Sequence, residues 1–446
     1  MLGAALSLTA TQAVTPFWLK AALKAEAITS LIVSGPAAML DFKAKRYAQP
    51  PLTTAAIESA TDSELQILTA MALADVMTFT RAGNATYVDP ADGLIKTATA
   101  DIPRFEADGL LLEGPSTNFA TTSSHTAATP WNNLTSNGLT VAVVATGMLG
   151  DVPYADFSIT GTMTAASAAL FVQPTSTITA AATGQTWIAS LYHQLISGTW
   201  PASSTGLTTE VYELDASSGY LVGSGTFQQP TTTLARRSSA RTLSNVSTAN
   251  VRTGIVISGT SGTTSFSGQV VRLFGLQLEQ DSVPSSLIQT TGSAVTRTAD
   301  NARLSDQIAA ILRRNAVSLV LQGKDLRGSI SRVIGGANSE RLLGFGANDS
   351  VLGAGASNYQ SFASGLVTPL PDFGIGLGFD ASGRSASYNG AAVTTSATPI
   401  DTNCSEIYLG RSANGQFANG HMKCLTLWPF RMTDTSLQTK AVAYDA

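Results

Sequence analysis

Charge is scarce in this sequence. Asp, Glu, Lys and Arg make up 13% of its 446 positions, against about 25% in an ordinary soluble domain, so Ser, Thr, Asn, Gln and Gly must cover most of the wetted surface. No lysine occurs between Lys96 and Lys324, and the net charge is −4. The middle of the chain is therefore poor in the phosphate-neutralising groups that nucleic-acid binding needs. Two cysteines, Cys404 and Cys424, are too few for a disulfide scaffold and lack the paired spacing of a zinc site. No window offers about 18 uninterrupted apolar residues, so no membrane-spanning helix is expected. No charged residue precedes Lys20, which leaves no basic flank for a secretory signal. The histidines are three, His125, His193 and His421, none beside a Gly-x-Ser-x-Gly elbow, so serine-triad chemistry is not expected. A P-loop, a dinucleotide fingerprint and a constant-period repeat are also missing.

What is present is apolar and β-rich. Hydrophobic residues reach 44% and are spread along the chain, which implies folding and not disorder. The length suits about two to four domains. The first 76 residues are the only long part with helical grammar. Thr15-Pro16 opens a pattern of Leu19, Leu23, Ala27 and Leu31, and Thr61-Asp62-Ser63-Glu64 fits a capping box leading into Leu65, Ile67, Leu68, Met71 and Leu73. Between them, residues 40–47 hold the one basic cluster, read as a solvated face. Residues 77–115 read as short strands and turns, with a hairpin joining 85–88 to 94–98 through Asp92-Gly93. Arg81 and Arg104 have the donors to satisfy loop carbonyls there.

Residues 116–303 read as an all-β sandwich, with strands clearest at 141–144, 186–195, 208–214, 254–258 and 269–277. Alternation puts Trp187, Ala189, Leu191, His193 and Leu195 on one core-facing side. Residues 304–317 read as a linker with a short helical pattern. A second sandwich follows over 318–446, in which the glycine-rich 373–379 is a strand. Strands at 405–410 and 421–428 would form a hairpin centred on Asn414 that sets Cys404 opposite Cys424. Two independent buried thiols are the preferred alternative to a disulfide.

Candidate chemistry is sparse. Asp151 with Asp156, or Glu210 with Glu213 and Asp215, have the identity of a glycosidase acid pair, but single solvated or edge carboxylates are the default. No cofactor is expected; a calcium ion has possible ligands in Asp349, Asp372 and Asp380, without the dense acidic loop of a dedicated site. Sugar recognition asks only for aromatic faces and neutral hydrogen-bonding groups. Trp131 in Thr129-Pro130-Trp131-Asn132-Asn133, Trp200 in Gly198-Thr199-Trp200-Pro201, Tyr220, and the pair Asn358 and Tyr359 have such surroundings. Each has a packed loop anchor as its alternative.

The run Phe79-Thr80-Arg81-Ala82-Gly83-Asn84-Ala85-Thr86-Tyr87-Val88-Asp89, followed by Asp92-Gly93-Leu94-Ile95 and Pro103-Arg104-Phe105, resembles the opening signature of a phage structural-protein family found in tail fibres, tail spikes and head fibres. Leu276-Gln277-Leu278-Glu279, Pro284-Ser285-Ser286-Leu287-Ile288 and Thr290-Thr291-Gly292-Ser293-Ala294-Val295-Thr296-Arg297-Thr298-Ala299-Asp300 are similar to the segment that closes its central jelly-roll sandwich. Toward the C-terminus, Ile407-Tyr408-Leu409-Gly410, then Phe417-Ala418-Asn419-Gly420 and Thr426-Leu427-Trp428-Pro429, resemble concanavalin A-like, laminin-G-like lectin domains. The resemblance implies a mainly β fold of two tandem antiparallel sandwiches with an N-terminal virion-attachment segment. It also implies a homotrimer on the virion exterior, assembled in the host cytoplasm, that binds host surface polysaccharide and touches other virion proteins. A non-catalytic tail fibre is favoured over a head fibre. A polysaccharide-depolymerising spike and a purely structural capsid or baseplate component are the alternatives.

Overall fold

The computed structural model describes residues 35–132, 135–327, 332–336, 341–345, 351–354, 359–363, 369–398, 406–413 and 415–444. The helix expected from Thr15, together with Asp349, Asn358, Cys404 and Asn414, lies outside them. The fold is mainly β, with antiparallel sheets throughout. Two compact units divide it: one of residues 1–82, 101–114 and 299–446, the other of residues 83–100 and 115–298.

The second unit is a sandwich. One sheet runs Thr135–Ser136, Leu139–Leu149, Val152–Thr162, Ser265–Glu279, Thr186–Ser197, Ala235–Thr242; the other runs Ser167–Val172, Asn250–Gly259, Ser204–Leu214, Tyr220–Ser224, with Thr179–Ala180 also on Asn250–Gly259. Every strand predicted for 141–277 falls inside one of these. Alternation decides their faces: Trp187, Ala189, Leu191 and Leu195 point into one core with Leu207, Val211, Ile255 and Leu273, and His193 is buried on the same side. The hairpin Ala85–Val88 with Ile95–Ala98 forms as its Asp-Gly turn predicts. Asn118 ties down the closing segment. Its amide nitrogen donates to the carbonyls of Leu276 at 3.1 Å and Ile288 at 2.8 Å, while its oxygen accepts from the N–H groups of Ala120 and Leu278.

The first unit is also built from two sheets sharing one core, since Leu319, Leu377 and Leu427 of a 10-stranded sheet cluster with Ile334, Leu343 and Leu409 of a 7-stranded one. Several expectations change here. The basic cluster stays on a wetted face, with Lys45 and Arg46 exposed, but its flanks are strands: Ala38–Asp41 hydrogen-bonds to Arg46–Gln49 on one side and to Asn419–Trp428 on the other. Leu40, Phe42, Ile57, Leu65 and Val76 all enter the core, so the segment before residue 77 is integral to this unit. The capping box at Thr61 and Glu64 is present, yet its helix stops at Leu65, and Thr69–Met71 joins the sheet as a strand. The expected linker over 304–317 contains the helix Asp306–Leu312, capped by Ser305, whose Ile308 to Leu312 are all buried. That burial is what a linker lacks.

The cysteine hairpin is a further correction. Ile407–Leu409 belongs to the 7-stranded sheet and Asn419–Trp428 to the 10-stranded one, because the intervening turn is long enough to cross between layers. Cys424 instead stands opposite Gln322 and Asp41. Burial pushes its thiol up to about 12, the state of an inert core cysteine.

Candidate functional site

All three segments of the first unit meet in one buried ion cluster. Arg81 comes from the first, Arg104 and Glu113 from the second, Asp300 from the third. The Asp300 carboxylate accepts from Arg81 Nη1 at 3.1 Å, Arg104 Nη2 at 2.6 Å and the Glu113 N–H at 2.9 Å. Arg104 also donates to Glu113 at 2.8 Å. Arg81 donates to the Ile102 carbonyl, which is the loop-fixing role its donors suggested. These side chains are almost wholly excluded from water, so the cluster is architecture and not a place where a ligand binds.

The tryptophans proposed for sugar stacking are core residues. Trp131 is 2% exposed, stacks on Phe157 and Phe171 with centroids 5.9 and 5.4 Å away, and donates its indole N–H to the Thr122 carbonyl. Trp200 is packed edge-on against Phe266, and its indole N–H reaches Ser204 Oγ at 3.0 Å. A Trp between prolines and asparagines looks wet in sequence, but here the indole closes the end of a sandwich. Neither ring face is open to a sugar. Tyr359 starts the strand Tyr359–Ala363.

Tyr220 is different. It is 60% exposed, and among the described residues it is the one exposed aromatic. It stands at the start of the edge strand Tyr220–Ser224, on the outer face of the smaller sheet of the second unit, where its ring meets Tyr212 at 5.8 Å and 65°. Tyr212 lies flat across that sheet because two glycines make room. A Cβ at Gly223 would fall 2.7 Å from its Cδ1, and one at Gly254 would fall 2.8 Å from its Cε2. The Tyr212 hydroxyl hydrogen-bonds Glu210, whose carboxyl burial raises above the usual range. Arg252, paired across the sheet with Tyr212, carries its guanidinium 5.8 Å from the Tyr212 ring centre. The face thus carries one open aromatic ring, with a half-buried carboxyl and a half-buried guanidinium around the buried Tyr212.

The acid pairs do not form. Glu210 and Glu213 lie three residues apart on one strand and so face opposite sides. Glu213 is buried beneath the sheet; burial would raise its pKa, but Thr248 and the N–H of Asn245, with Arg241 and the N–H of Ser244, hold it below the usual range. Asp215 caps its own turn through the N–H groups of Ser217 and Gly219. Asp156 is bound by Arg272 through two hydrogen bonds, and Asp151 accepts from the Thr97 N–H. Of the acids considered for calcium, Asp372 pairs with Lys423 and Asp380 with Arg431. Among the described residues no group of three metal-ligating side chains converges.

The sequence singles out Tyr220 as an aromatic and Glu210 as an acid, but neither Tyr212 nor Arg252 beside them. Alternation within Thr208 to Leu214 carries Tyr212 onto the same side as Glu210. Placing Arg252 beside them requires the register between strands about 40 residues apart, which alternation alone does not supply.

Neither a family model nor a curated protein matches the chain. Among solved structures it is similar to the tripod from the baseplate of bacteriophage Tuc2009, at 10% identity over 73% of this chain and 97% of that one, with a TM-score of 0.26. Domain 4 of an extracellular arabinanase from Geobacillus stearothermophilus, in complex with arabinotriose, overlaps 32% of this chain and 73% of its own, at 17% identity and a TM-score of 0.25. A xylan-binding CBM22-1 domain from Paenibacillus barcinonensis overlaps 40% and 94%, at 17% identity and 0.22. At such scores an overlay transfers no function, and the chemistry has to come from this chain's own side chains.

Proposed function

We propose that the protein is a bacteriophage virion subunit, a tail fibre or spike component, that holds a host surface glycan without cutting it. The observation that carries the reading is the outer sheet face of the second unit, where exposed Tyr220 stands beside Tyr212, Glu210 and Arg252. A pyranose stacks its apolar side on such a ring and offers its hydroxyls to the polar groups around it. The signature segments around Arg81 and Asp300 support the virion assignment through the family they resemble. Trimerisation follows from the same resemblance, and it suits weak single contacts, because linked sites raise avidity by about 10² to 10⁴-fold. The acids support a reading without cutting: Glu213, Asp156 and Asp215 each have hydrogen-bonding partners of their own, and Glu210 lies on the opposite side of its strand from Glu213.

The test uses capsular polysaccharide and lipopolysaccharide from bacterial hosts, incubated with the whole protein and followed by retention on the protein and by chain length. Retention with unchanged chain length is expected. Steady shortening at enzyme-like turnover would replace this reading with a depolymerising spike. Antibody against residues 318–446, viewed on intact particles, is expected at the tail; label spread over the capsid would make the subunit a head fibre.

A further inference from the structure

We propose that the sugar held by this face is acidic, a pyranose bearing a carboxylate, and that Arg252 is the residue that pairs with it. The proposal rests on the glycan-binding reading above and deepens it.

The second unit contains six arginines, and most are already engaged. Arg241 takes Glu213 and Arg272 takes Asp156, while Arg236 donates to the Ser285 carbonyl and to Ser190 Oγ. Arg252 is half-buried, its Nε is enclosed with no hydrogen-bond partner, and among the described residues no carboxylate forms an ion pair with it. Arg237 also lacks an acid partner, but it stands opposite Leu191 on the strand next to His193, away from the aromatic face. A guanidinium removed from bulk water and left without a counter-charge is costly unless something supplies one.

Glu210 is not that partner. Its hydrogen bond goes to Tyr212, it forms no ion pair with Arg252, and burial raises its carboxyl above the usual range. Gly254, opposite Glu210 on the same strand as Arg252, leaves the room in which the Tyr212 ring lies between them. A ring stacked on the exposed face of Tyr220 would then present a substituent toward Arg252. The planar guanidinium fork matches a carboxylate in two parallel hydrogen bonds. A phosphate, with its larger charge, would call for further cations. The unit's single lysine, Lys96, is paired with Asp92.

The experiment measures affinity of the whole protein for three probes: oligogalacturonate, an oligomer of sialic acid, and carboxyl-reduced oligogalacturonate, which keeps the chain but loses the charge. At least one acidic probe is expected to bind about tenfold or more tightly than the reduced one, a charge-assisted pair being roughly twice as strong as a neutral hydrogen bond. Arg252→Gln should bring that ratio to about one, Arg252→Lys should restore part of it, and Tyr220→Ala should weaken charged and neutral probes alike. The wild-type ratio should also shrink in high salt, a readout that needs no variant to fold. Equal wild-type affinity for acidic and reduced probes, or a ratio untouched by Arg252→Gln, overturns the acidic-sugar assignment and leaves glycan binding standing. Failure of the wild type to bind any carboxylate probe, while it retains neutral host polysaccharide, overturns it too. Failure to bind any glycan at all overturns the reading beneath it.

Discussion

Arg104 and Asp300, 196 positions apart, meet through a 2.6 Å hydrogen-bonded ion pair from which water is fully excluded. Asp300 holds Arg81 as well, so one carboxylate gathers three separate stretches of chain into the first unit. Removing one member of such a group leaves a buried charge uncompensated, at a cost of about 3–5 kcal/mol. Asp300→Asn and Arg104→Met are therefore each expected to lower the denaturation midpoint sharply, and the double variant should cost less than the sum of the two. Chemical denaturation measures this; additive effects would mean that the two side chains act independently.

His193 makes stability depend on pH. It is wholly buried among apolar neighbours, and burial, with the charge of Arg237, lowers its pKa from 6.5 to about 4. The unfolded chain takes up a proton below pH 6.5 while the folded one does not until about 4. Stability from this group is thus complete above pH 6.5 and is lost as pH falls toward 4, up to about 3 kcal/mol in all. His193→Leu should flatten that part of the melting-temperature profile between pH 7 and 4. An unchanged slope would assign the acid sensitivity to other groups.

Trp131 is predicted to matter for folding and not for recognition. Trp131→Ala should cost about 3–5 kcal/mol, as large-to-small changes in a packed core do, because it opens a hole between Phe157 and Phe171. Under conditions where the variant stays folded, its glycan affinity should match the parent. Full stability with lost binding would reverse the assignment.

Much of the architecture was legible because a strand announces itself locally. The alternation from Trp187 to Leu195, the Asp92-Gly93 turn and the capping box at Thr61 each depend on a few neighbouring residues. That the segment before residue 77 belongs to the first unit was not legible. The strand Ala38–Asp41 finds its partner at Asn419–Trp428, and nothing local in Met39 or Leu40 reveals a pairing across nearly the whole chain. The site divided the same way: Tyr220 stood out as an aromatic beside a Ser-Gly turn, whereas Trp131 and Trp200 carried the same flanking chemistry and proved to be core. Burial of a loop tryptophan is decided by what packs on it from elsewhere.

The most direct test of glycan binding through the Tyr220 face is calorimetric titration of host surface oligosaccharide into the whole protein and into its Tyr220→Ala variant. Tyr220 is exposed, so its removal should leave the melting temperature within about 1–2 °C, a surface change of this kind being worth under about 0.5 kcal/mol. The account predicts that the parent binds and that the variant binds about tenfold more weakly, a difference of about 1.4 kcal/mol. A variant that is equally stable and binds as tightly as the parent would contradict it.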